Sequence, residues 1–143
     1  MKINRNPHGE FEFDTSYVSE HILIMRVRGP WNMQTAQEGA SQLIAHSEKM
    51  KQHPWAYIED MRYWEVCPPD VVAVFVEGIR VLLKNNFRFR AVVTDMRIQM
   101  EMVNQSVERQ SPVETENFTT PEDAMVWCRD QLKALSDSPS DTL

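Results

Sequence analysis

The residues best placed to do chemistry lie in one stretch, Tyr57-Ile-Glu-Asp-Met-Arg-Tyr-Trp-Glu-Val-Cys-Pro-Pro-Asp70. A short apolar run ends there in two adjacent acids, a basic residue and two aromatics, and ligand sites in α/β folds form where strands end. Glu59 and Asp60 could act as an acid/base or metal pair. Adjacent strand residues point to opposite faces, however, so the two converge on one ion only if the strand has already ended. The simpler role for Asp60 is to cap the following loop or to pair with Arg62. Cys67, just ahead of a helix start, could carry a thiolate held by helix amides. No histidine neighbours it in sequence, and an inert, half-buried thiol is the simpler reading. Trp31, Tyr63 and Trp64 could floor an apolar pocket, or they could cover the end of the core. Met96, Met100 and Met102 offer an adaptable binding surface or plain core filling. The histidines, His8, His21, His46 and His53, form no HxxxH or HxH pair, and the glycines are isolated, so neither a metal motif nor a phosphate loop is evident.

Composition bounds the scaffold that must position these residues. The chain has 143 residues, and 21 acids against 15 Lys plus Arg give a formal net charge of −6. That length suits one domain with a core large enough to need no staple. The charge would repel a phosphate backbone, so nucleic acid is not an expected partner. Cys67 and Cys128 are the only cysteines, and neither stands in a CxxC or Cys/His cluster. No disulfide framework, metal or cofactor is therefore implied. Met1 to His8 lacks the apolar centre of a signal peptide, and the longest apolar run, Val71 to Val76, is far below the ~20 residues of a membrane span. The expectation is a cytoplasmic protein with reduced thiols and no membrane span.

Periodicity supplies the elements. Glu10 to Asp14 alternates as a half-buried strand, and His21 to Arg28 makes a second strand, broken at Gly29-Pro30, that pairs with it as a hairpin. Asn32 is a natural N-cap for a helix with Ala36, Ala40, Leu43, Ile44 and Met50 inward. Pro54 ends that helix, and Trp55 to Glu59 is the third strand. The segment after Pro68-Pro69 is rich in β-branched residues, yet Val71, Val74, Phe75, Ile79, Leu82 and Leu83 recur at helical spacing behind a first-turn proline, which predicts a helix. Arg88 to Thr94 reads as a central strand with an apolar middle. A third helix is expected over 98–110, with Met100, Val103 and Val107 inward. Val113 to Phe118 reads as an edge strand, and Thr120-Pro-Glu-Asp123 opens a last helix through Ala124, Trp127, Cys128 and Leu132 to about Leu135.

The resulting order, β-β-α-β-α-β-α-β-α, predicts a mixed sheet whose later strands are parallel. A strand pair ending in Gly29, a strand closing on Asp60-Met-Arg62 with Trp64-Glu65 and Pro69 beyond it, a long helix, an Arg90-Ala-Val-Val93 strand and a final Phe118-Thr-Thr-Pro-Glu-Asp-Ala-Met-Val-Trp127 segment together resemble STAS-like domains. That family includes bacterial anti-sigma-factor antagonists, and its architecture is shared with CRAL-TRIO lipid-binding domains. The resemblance implies a single α/β domain over residues 10–135, with about five strands and four helices. Residues 1–9 become an N-terminal extension and 136–143 a flexible C-terminal tail. It also implies a phosphoswitch on a Ser or Thr just after the third-strand aspartate, where this chain reads Met61-Arg-Tyr-Trp-Glu-Val-Cys67 and has neither.

Three functional readings follow. The first is a non-enzymatic regulatory or protein-interaction module of STAS-like type that lacks the phosphorylatable Ser or Thr. The second is a binder of a small apolar ligand or lipid, and the third a small enzyme using Asp60 or Cys67. Partners compatible with them are another protein, a second copy in a homodimer, or an apolar molecule. If the second and third strands run parallel, Trp31 and Trp64 emerge at one end of the sheet and are expected to rim a binding surface with Asp60, Arg62, Tyr63, Cys67 and Met96.

Overall fold

Alternating apolar positions on five strands build one sheet whose two faces are covered by different helices. The computed structural model describes residues 9–65, 67–94 and 113–137. Strands β1 (Glu10–Asp14), β2 (Ile22–Pro30), β3 (Trp55–Glu65), β4 (Phe87–Val93) and β5 (Glu114–Phe118) lie in the order β1-β2-β3-β4-β5. β1 and β2 pair antiparallel, and every later neighbour is parallel. Cross-strand charges suit the hairpin register, with Arg26 3.0 Å from Asp14 and Arg28 3.1 Å from Glu12.

Helices α1 (Met33–Met50) and α2 (Pro69–Leu82) cover one face, packing on Leu23, Met25, Val27, Trp55 and Tyr57. Helix α3 (Pro121–Asp137) covers the other, where Ala124, Cys128 and Leu132 meet Ile22, Ala56, Ile58, Phe89 and Ala91. Asn32 caps α1 by accepting from the Thr35 amide at 2.8 Å, and Thr120 Oγ1 accepts from the Asp123 amide at 3.2 Å. The valine-rich segment after Pro68 is a helix, as its spacing predicts. It packs so tightly on α1 that a Cβ on Gly78 would lie 2.8 Å from the Cβ of Ala40.

Several boundaries differ from expectation. β2 continues through Gly29 and ends on Pro30, where a missing amide removes no interior ladder bond. β3 runs on to Glu65, six residues beyond its expected end at Glu59, because it crosses a bulge and keeps its pairing with β2. The last helix reaches Asp137, so Ser136 and Asp137 belong to it and not to a tail. The helix expected over 98–110 lies outside the described residues, as do Met96 and the segments 1–8 and 138–143. Among the described residues there are three helices, none long and apolar enough to cross a membrane.

Candidate functional site

The bulge in β3 decides where the predicted site residues go. β2 sets Arg26 opposite Asp60 and Arg28 opposite Tyr63, so β3 carries one extra residue there. An extra residue shifts the alternation by one. Asp60 therefore faces α3, while Trp64, four residues on, returns to the α1/α2 side. Arg62 turns back along the strand. Its Nε and Nη2 donate to Asp60 Oδ1 and Oδ2 at 2.9 and 2.8 Å, and its amide donates to Oδ1 at 3.3 Å. This two-pronged geometry holds the carboxylate with the side chain of Asp60 5% exposed. Tyr63 is left 63% exposed, with the Arg62 guanidinium 5.3 Å from its ring centroid.

Glu59 points the other way. It accepts from Arg90 Nε in an ion pair buried between the sheet and the α1/α2 layer, with the two side chains 1% and 0% exposed. The two adjacent acids thus serve separate arginines on opposite faces and do not converge on one ion. Neither terminal nitrogen of Arg90 has a hydrogen-bond partner among the described residues. Beside them the Tyr57 hydroxyl donates to Met25 Sδ at 3.1 Å. Burial and the Glu59 charge push that phenol well above its usual pKa.

Trp31 and Trp64 do emerge at the same end of the sheet, since Gly29 pairs with Trp64, but they do not form an exposed rim. They are 4% and 7% exposed and belong to the core, where Trp31 meets Phe75 edge-on at 5.4 Å. Gly9 and Gly39 close over the Trp31 ring, and a Cβ at Gly9 would come within 2.4 Å of it. The physical reason is that Trp31 packs between Phe11 of β1, Gly39 of α1 and Phe75 of α2, and Trp64 joins the same core cluster. Cys67 is also buried, and desolvation raises its thiol to about 11, while Cys128 rises to about 12. Burial thus favours the inert, half-buried thiol over a thiolate held by helix amides at Cys67.

The open feature on this side of Asp60 is a groove of about 350 Å³ between β2/β3 and the first turns of α3. It lies toward the β2 edge of α3, which packs chiefly on β3, β4 and β5 and meets β2 mainly through Ile22 and Ile24. Ile24, Ile58, Met125 and Val126 supply apolar walls, and Tyr17, Arg26, Asp60, Glu122 and Arg129 the polar ones. Each arginine on that rim has its own acid: Arg26 with Asp14 at 3.0 Å, and Arg129 with Glu20 at 2.8 Å. The groove is therefore electrically balanced and suits a largely apolar occupant. Of its lining, sequence reasoning singled out Asp60 alone. The one available signal was Val126, an apolar residue off the inner face of α3.

No protein-family model matches the chain, and no curated protein matches it in sequence. Solved structures do share its fold. An uncharacterised protein of the DUF3478 family with a SpoIIAA-like fold, from Shewanella loihica PV-4, superposes with a TM-score of 0.61 at 16% identity, covering 89% of this chain and 99% of that one. An anti-sigma factor antagonist from Mycobacterium paratuberculosis superposes with a TM-score of 0.57 at 13% identity, covering 90% and 100%. The chain thus shares the STAS-like, SpoIIAA-like α/β fold of these structures.

Proposed function

We propose that this protein is a non-enzymatic regulatory or protein-interaction module that uses the STAS-like scaffold without a Ser/Thr phosphoswitch. One observation carries the reading. At the junction of β3 and α2, Tyr63, Glu65, Pro68, Pro69 and Asp70 are exposed, while Asp60, Trp64 and Cys67 are buried beneath them. The junction therefore offers a contact surface centred on an aromatic anchor, in a segment whose only hydroxyl side chain is that of Tyr63. The similarity to an anti-sigma factor antagonist supports a protein as the partner. Glu59 and Asp60 are each committed to an arginine, and both described thiols are held protonated, which argues against the enzyme reading.

The test is affinity capture from the native host with the wild-type chain and with Tyr63→Ala, combined with intact-mass measurement. The expected result is a protein retained by wild type and lost by the variant at unchanged stability, with no phosphate on the junction. A phosphate that governs retention would overturn the switch-free reading.

A second reading, binding of a small apolar molecule, is favoured by the balanced groove beside α3. Its test is a thermal-shift series with uncharged alkyl and aryl compounds, in which Val126→Glu should abolish any stabilisation. Stabilisation by such compounds without a retained protein would favour this reading over the first.

A further inference from the structure

Three of the four histidines, scattered in sequence, meet in space. His21 closes the 3₁₀ turn Val18–Glu20 with a left-handed φ of 66°, His46 lies on the penultimate turn of α1, and His53 lies in the turn between α1 and β3. Together with Lys49 they line a cleft of about 410 Å³ at the end of the sheet where β2 and β3 begin. The rings of His21 and His53 stack with centroids 3.6 Å apart and planes 9° apart, while that of His46 lies 4.5 Å from Phe13. Val18 and Met50 give the cleft an apolar wall.

The charge of this lining is unlike that of the rest of the molecule. The chain carries −6 overall, yet the cleft presents four basic side chains and no carboxylate, its remaining polar members being Thr15 and Gln52. The nearby acids are engaged elsewhere: Glu20 with Arg129 at 2.8 Å, and Glu48 with Lys51 at 3.0 Å and the Asn85 amide at 2.8 Å. Lys49 has no ion-pair partner among the described residues. The groove beside α3 is the contrast, since each of its rim arginines is neutralised. A metal is not the natural occupant, because stacked parallel rings cannot turn two nitrogens toward one ion, and no group of three metal-binding side chains occurs among the described residues.

We infer that this cleft is a binding site for a small amphipathic carboxylate, its head group held by Lys49 and the imidazoles and its apolar body laid against Val18 and Met50. Binding is coupled to proton uptake. His21 and His46 are shifted toward the neutral form, His21 by burial and the neighbouring His53, and His46 by burial and Lys49. An arriving anion stabilises the protonated rings, and the negative end of the α1 dipole favours the same state. Affinity therefore rises as pH falls through the imidazole range.

The experiment follows imidazole signals by NMR during titration of the folded chain with octanoate, and with 1-octanol as the uncharged counterpart, at about pH 6 and about pH 8. Octanoate should shift the signals of His21, His46 and His53 and bind at least about tenfold more tightly at the lower pH, while 1-octanol binds more weakly with no pH dependence. Lys49→Gln, at an exposed position, should keep the urea midpoint and lose octanoate binding at the higher pH. Octanoate that leaves the three imidazole signals unmoved, or 1-octanol that binds as tightly as octanoate at both pH values, would overturn the assignment.

Discussion

At the scale of single residues, the ion pairs on the two faces of β3 make opposite demands. Glu59 and Arg90 are both fully buried, so removing one leaves an uncompensated charge in the core. Glu59→Gln should destabilise by about 3–5 kcal/mol, whereas Glu59→Leu combined with Arg90→Met should recover most of the loss, because desolvation of both charges disappears together. Urea melts of the two variants check this. Asp60 sits at a surface-facing groove, and Arg62 can still reach water when the carboxylate is removed. Asp60→Ala should therefore cost less, about 1–3 kcal/mol, yet more than Ala at the exposed Glu65 or Asp70, which should stay within about 0.5 kcal/mol. Trp64 is a core residue, so Trp64→Ala should cost about 3–5 kcal/mol and any loss of binding in it would report unfolding. Tyr63 is the position at which contact can be separated from stability.

At the scale of elements, the closest approach of α1 and α2 gives the sharpest prediction. Gly78→Ala would gain about 1 kcal/mol of helix propensity, but its Cβ would lie 2.8 Å from that of Ala40 and 3.4 Å from the Ala40 Cα. The obstacle is a rigid helix and not a flexible side-chain end, so overpacking of about 1–3 kcal/mol wins and the variant should be less stable. Ala40→Gly in the same chain should remove the clash and restore stability to the extent that helix propensity allows. Denaturant midpoints of the single and double variants measure the coupling.

At the scale of the whole molecule, the titrating groups define a pH window for stability. His21 and His46 have folded pKa values below their ordinary range, so between the two values the unfolded chain holds more protons than the folded one. Their contribution is present above the ordinary imidazole value and is lost as pH falls through the lowered folded values. The buried thiols act with the opposite sign. Cys67 and Cys128 keep their protons up to about 11 and about 12 in the fold, so stability falls as pH rises beyond the ordinary thiol value. Thermal melts should show maximal stability between these limits, and His46→Gln should flatten the acid side. Without a carboxylate ligand in solution the acid-side loss should be larger than with one, since an occupied cleft favours the protonated rings.

Sequence alone determined the five strands and the three described helices, in their order, because each rests on local physics. Asn32 and Thr120 cap their helices with their own side chains, Pro69 starts α2, and apolar spacing tells its valines to coil and not to extend. The parallel sheet followed from crossovers of adequate length. Tertiary structure decided the site. The β3 bulge, which places Asp60 and Trp64 on opposite faces, arises from pairing with β2 and leaves no mark in either strand read alone. Trp31 and Trp64 were expected at one end of the sheet and are there, but whether that end is open depends on how the neighbouring strand and helices pack over it. The groove beside α3 lies where the first turns of that helix meet β2 and β3, a juxtaposition set by packing between distant segments. The histidine cleft joins His21, His46 and His53 from a 3₁₀ turn, a helix end and a loop, separated by up to 32 positions, which no spacing rule connects. Local sequence fixes backbone conformation through propensities and caps, whereas which side chains share a space is set by packing between distant segments, and that is where binding sites are made.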